Sequence, residues 1–109
     1  MSAYDDLIRR LSTNGAGSYV QAGALVVSNN NPAWPSSNCF WILKKNCEWY
    51  LGTYLPAVYH VPETQDICEV SLAVLRCSPT AIYTVPEDLA SQLGLRRLTK
   101  QEVDRLGWG

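Results

Sequence analysis

The sequence predicts a single α+β domain: a mostly antiparallel sheet of about four or five strands packed against an N-terminal helix, a helix at 64–77 and two short C-terminal helices. Three observations carry this expectation. The stretch 39–61 (CFWILKKNCEWYLGTYLPAVYHV) is dense in aromatic and β-branched residues and is broken by turn signals, the composition of a strand meander. Residues 2–12, 64–77 and 86–107 instead carry helical spacing or helix caps. A length of 109 residues suits one domain, 1–109, with a core of its own.

Charge and composition narrow the function classes. Nine basic and ten acidic side chains leave a net charge of −1. Nucleic-acid binders usually carry a basic excess, so no nucleic acid is expected as a partner. Hydrophobic residues make up 47% and charged residues 17%, a globular balance with no sign of disorder. The opening MSAYDD lacks the basic region and apolar run of a secretory signal. The apolar run Ala24-Leu25-Val26-Val27 is far too short to span a membrane. The expectation is a cytoplasmic protein with reduced thiols and no membrane partner.

The elements follow in order. In residues 2–12, Tyr4, Leu7, Ile8 and Leu11 fall on one helical face. Ser2 can cap this helix, Asp5 and Asp6 sit in its first turn, and Asn14-Gly15 stops it. Tyr19–Val27 reads as the first strand, with Gly23 marking a bulge or a close approach. Ser28–Asn38 (SNNNPAWPSSN) is a long loop that places Trp34 between two prolines, and loops of this length are often functional. The meander has strands near 39–45, 48–54 and 57–61, with a polar turn at 44–48. Apolar bulk on both faces of the second strand argues for cover on both sides or for a partner on one.

The segment 62–78 fits either period. Its length, Thr64 as a cap, Asp66 in the first turn and Ser78-Pro79 as a stop favour a helix over a strand. Ala81–Val85 reads as a last strand. Pro86 then opens a short helix that Gly94 closes. Thr99-Lys-Gln-Glu102 is a capping box for a final helix ending at Gly107.

Catalytic signatures are scarce. Cys39, Cys47, Cys68 and Cys77 show no C-x2-C spacing. Cys68 and Cys77 on one helix would be separated by about 13 Å of rise, too far for a disulfide. All four read as small buried hydrophobes. His60, the single histidine, could pair with Cys39 or Cys47 as base and thiolate, but a half-exposed packing role is the simpler reading. Asp5-Asp6 and Glu87-Asp88 sit in first helical turns, where the helix dipole accounts for them. Nucleotide, P-loop, zinc-protease and nucleophile-elbow motifs are all missing. No cofactor, metal or catalytic residue is expected. The segment Ala90-x-x-x-Gly94-Leu95 resembles the turn of a helix-turn-helix, with Arg96, Arg97, Lys100 and Arg105 as phosphate contacts. Lys100, however, falls where an apolar packing residue belongs, and residues 86–109 balance four bases with four acids.

The coarse element order also resembles small cytosolic adaptors such as bacterial toxin-immunity proteins and type III secretion chaperones. That resemblance implies function by binding, and it transfers no residues because no motif is shared. Four tryptophans and six tyrosines exceed what one sheet can bury, and these residue types are enriched at interfaces. The expected function is a protein-binding module, acting on a partner or on a second copy through Trp34, Tyr50, Tyr54 and Trp108. The alternatives are a small enzyme or ligand-binding domain at His60 and DNA binding through the C-terminal helices.

Overall fold

A computed structural model describes residues 3–29, 39–77 and 83–107. It is an α+β domain with one six-stranded antiparallel sheet and four helices. The expected fold class holds, with more strands than the sequence suggested.

Helix α1 spans Ala3–Thr13 and buries Leu7 and Leu11, one turn apart on the same stripe. The expected first strand is in fact a hairpin. Strands β1 (Ala16–Gln21) and β2 (Ala24–Asn29) flank a two-residue turn in which Ala22 (φ 50°) and Gly23 (φ 80°) are both left-handed. Two positive φ angles match the twist of the flanking strands, as in a type I′ turn. Alanine is not a usual turn residue, so residues 19–27 read as one strand.

Strand β3 (Cys39–Lys45) meets β4 (Glu48–Gly52) across a second two-residue turn, Asn46 (φ 53°) and Cys47 (φ 65°). β4 stops two residues earlier than expected. The Thr53 amide donates to the Ala57 carbonyl at 3.0 Å and its hydroxyl donates to the Leu55 carbonyl at 2.7 Å, folding 53–57 into a loop that places Tyr54 outside the sheet. Strand β5 is Val58–Val61.

Helix α2 is Ile67–Cys77, so the helical reading of this segment is correct. Its cap is Asp66 rather than Thr64: one Asp66 oxygen accepts from the amides of Cys68 (2.8 Å) and Glu69 (3.2 Å). Arg10 of α1 grips the same carboxylate at 3.0 Å. Desolvation opposes ionisation there, but the Arg10 bond and the two amides outweigh it and hold the Asp66 carboxyl below its ordinary range.

Helix α3 (Glu87–Leu93) follows Pro86 and ends at left-handed Gly94. Of the expected strand 81–85, residues 81–82 lie outside the described residues and 83–85 are not in a strand. The sheet closes elsewhere. After Gly94 the chain runs along β5 as β6 (Arg96–Arg97), and the Leu98 amide donates to the Val58 carbonyl at 2.8 Å. Two residues between helices are too few to show strand periodicity. Helix α4 (Lys100–Leu106) carries the expected capping box of Thr99 and Glu102.

The strands lie in chain order, β1-β2-β3-β4-β5-β6. Register divides their side chains between two faces. On one, Leu25, Ile42, Leu51 and Tyr59 align across β2 to β5. This face packs with residues of α1, α2 and α3 into the core. On the other, Val26, Trp41, Gly52 and Val58 align, and α4 is the helix that crosses it. No helix among the described residues is long and apolar enough to cross a membrane.

Candidate functional site

The face crossed by α4 is only partly filled. Gly52 sits in register between Trp41 on β3 and Val58 on β5, and its missing side chain leaves a gap in the row. The result is a hollow of about 220 Å³, walled by Trp41, Val58 and Val103 of α4 and rimmed by Tyr54 and Pro56. On the other side of Trp41, a wider hollow of about 590 Å³ runs past Leu43 and Lys45 to Leu106. The Lys45 ammonium donates to the Leu106 carbonyl and ties the end of α4 to the sheet, where the helix dipole favours a cation.

An exposed apolar cluster extends from the smaller hollow through Tyr54. Tyr54 is 59% exposed, Leu55 52% and Tyr83 53%. The Tyr54 and Tyr83 rings meet edge to face, with centroids 5.7 Å apart, and the Leu55 amide donates to the Tyr83 carbonyl at 3.3 Å. The loop closed by Thr53 therefore presents a fixed set of apolar side chains to solvent.

The expected interaction residues separate in space. Tyr54 is on this rim. Tyr50 is half-buried on the same face, and its hydroxyl donates to Glu48 at 3.2 Å. Burial and the Glu48 charge push the Tyr50 phenol up from its ordinary value. Trp34 and Trp108 lie outside the described residues, as does the 30–38 part of the expected loop. Tyr83 was missed by sequence reasoning because it sits in the strand expected at 81–85, where a tyrosine reads as sheet packing.

His60 finds a carboxylate. Its Nε2 lies 3.2 Å from Glu48 Oε1, and its ring stands against Tyr50 with centroids 5.4 Å apart. Tyr50 and His60 face each other across β4 and β5. The hydrogen bonds alternate along the ladder, which makes theirs the close, non-hydrogen-bonded type of pair. Beside them Arg96 bonds Glu102 at 3.0 Å. This Glu48–Tyr50–His60 set joins two strands by polar contacts.

The cysteines stay dispersed. Cys39 and Cys47 sit at opposite ends of the β3 region, and Cys68 is buried in α2, where desolvation pushes its thiol up. A raised thiol is a poor nucleophile at neutral pH. Against the expectation of four buried thiols, Cys39 is only half-buried and Cys47 and Cys77 are exposed, because they fall at a strand end, in a turn and at a helix end. Among the described residues no group of three or more His, Cys, Asp or Glu could hold a metal ion. Between the C-terminal helices, where a helix-turn-helix would place a turn, Arg96 and Arg97 form β6 and pair with β5. Compared with family models, curated proteins and solved structures, the chain matches none of them.

Proposed function

We propose that the protein is a binding module that captures a segment of another protein on the open sheet face, at the rim formed by Tyr54, Leu55 and Tyr83. One observation carries this reading: Tyr54, at the mouth of a hollow of about 220 Å³ with apolar walls, is joined by two more exposed apolar side chains, Tyr83 against its ring and Leu55 next to it in the chain. An engineered apolar cavity of about 150 Å³ takes up benzene, so this hollow has room for one aromatic or branched side chain. Aromatic rims around such pockets are where interface energy concentrates. Tyr54 and Tyr83 brace each other, so little rotamer freedom is lost on binding. The partner segment therefore presents an apolar anchor, and backbone or polar contacts around it fix its direction. All four cysteines stand free, which suits the reducing cytoplasm where we place the module.

The test is selection of random displayed peptides on the immobilised full chain, with the Tyr54→Ala variant as the counter-screen. Selected peptides are expected to share one apolar anchor position and to bind Tyr54→Ala at least about tenfold more weakly. Peptides that bind both proteins equally, or a selection that yields none, would overturn the reading.

A further inference from the structure

The two edges of the sheet are finished differently. At one end β6 is two residues long, and both are exposed arginines. Short length and charge are the usual devices that stop an edge from pairing with another strand. At the other end β1 is six residues long (AGSYVQ) and carries neither charge nor proline. Its adjacent residues Tyr19 and Val20 point to opposite faces and are 55% and 48% exposed. Among the described residues no strand lies on the outer side of β1.

The hairpin geometry shows which backbone groups that edge offers. A two-residue turn is closed by a hydrogen-bonded pair, here Gln21 and Ala24. Alternation along the ladder makes Tyr19–Val26 and Gly17–Ser28 hydrogen-bonded pairs as well. The Ser28 hydroxyl reaches the Gly17 carbonyl at 3.5 Å, which confirms that Gly17 faces inward. Ala16, Ser18 and Val20 therefore aim their amides and carbonyls outward. Ser18 adds a second, independent sign. Its hydroxyl is buried and has no hydrogen-bond partner among the described residues, a costly state for a polar group.

We propose that two copies of this chain join edge to edge through β1, antiparallel about a two-fold axis at Ser18, extending each six-stranded sheet into the other. In that register Ser18 pairs with its own copy, and Ala16 pairs with Val20 on both sides of the axis. Each of these three pairs exchanges two backbone hydrogen bonds. The two Ser18 side chains then lie on the same face of the joined sheet, directly opposite one another. A rotation about χ1 lets their hydroxyls bond across the axis, as paired Ser and Thr do between strands. Tyr19 comes to lie opposite Gly17 of the other copy, where the absent side chain leaves space for the ring. An uncharged edge is what a self-pairing strand needs, since a two-fold axis brings like charges together.

The test is sedimentation of the full chain from micromolar to high-micromolar concentration, alongside Ser18→Pro, Val20→Lys and Tyr54→Ala. Wild type is expected to approach twice the chain mass, with the Ala16, Ser18 and Val20 amides slowing in hydrogen exchange as concentration rises. Ser18→Pro removes only an outward-facing amide, a position where an edge strand tolerates proline. It and Val20→Lys should each weaken association by about tenfold or more. Should the proline variant fail to fold, Val20→Lys at its exposed position carries the test alone. Tyr54→Ala should remain dimeric, which separates this interface from the rim proposed to hold a foreign segment. A wild type that stays monomeric throughout, a dimer that persists in Val20→Lys, or one lost in Tyr54→Ala would overturn the proposal.

Discussion

The two faces of one sheet have been given different tasks. On the face under α1, α2 and α3, Leu25, Phe40, Ile42 and Leu51 are at 0% exposure. On the face under α4, Trp41 and Leu43 are only half-covered and hollows remain on both sides of Trp41. The strands are the same and so is their alternation. What differs is the cover: two eleven-residue helices and α3 on one side, one seven-residue helix on the other. A strand pattern with apolar bulk on both faces therefore does not mean burial on both. Here one face is core, while the other is buried at Val26 and Val58 and only half-covered at Trp41 and Leu43.

Four substitutions sharpen or break this comparison, the largest first. Phe40→Ala empties the centre of the helix-covered face and should cost about 3–5 kcal/mol by denaturant unfolding; a cost below about 1 kcal/mol would mean that the core is not where we place it. Asp66→Ala removes the cap of α2 and the anchor for Arg10, and should cost about 1–2 kcal/mol. The pH dependence of that loss has a definite sign. The Asp66 carboxyl is lowered in the folded state, so in the acid range the unfolded chain binds more protons and stability rises with pH. Its contribution is full above the ordinary carboxylate range near about pH 4 and is lost as pH falls through the folded value. Wild type and Asp66→Ala should therefore converge in stability on acidification, and curves that stay parallel would contradict the assignment.

Ala22→Asn, in the β1–β2 turn at the edge of the wider hollow, sets the scale of the turns. Asparagine accepts a left-handed conformation better than alanine, so this change should raise stability by up to about 1 kcal/mol in thermal unfolding. A loss instead would show that the turn is not type I′. Tyr54→Ala, on the open face, should leave stability within about 0.5 kcal/mol, while abolishing most binding to peptides selected on wild type. If calorimetry showed a loss like that of Phe40→Ala, Tyr54 would belong to the core.

Much of this was legible in the chain. The central meander, the first helix, the helical reading of 67–77, the Gly94 stop and the Thr99 capping box follow from residue patterns whose physics is local. The misses were of another kind. The Ala22-Gly23 turn was hidden because alanine is not a usual turn residue and the lone Gly23 reads equally well as a bulge within one strand. β6 was hidden because a two-residue strand is defined by its partner, β5, and by nothing in its own sequence. The cap of α2 is Asp66 instead of Thr64 because the helix begins at Ile67 and leaves Asp66 in reach of its first free amides. The hold of Arg10, 56 residues away, on that carboxylate is a tertiary contact with no local signal. At the candidate site, Tyr54 was legible as an aromatic at the end of a strand with apolar bulk on both faces. Its meeting with Tyr83 and the gap over Gly52 were not, since both depend on register between distant strands. The same holds for His60, whose partner Glu48 was fixed by the β4–β5 alignment rather than by any motif.

Strands that follow one another in space as they do in sequence have a consequence for assembly. From β1 to β5 each strand docks on its neighbour in sequence, and long loops are closed by the surrounding pieces: α1 reaching Asp66, β6 joining β5, and Lys45 holding the end of α4. Because entropy lost in loop closure slows folding chiefly when contacts are remote, this sheet should form quickly for a β-rich domain, zipping from its two tight reversals outward.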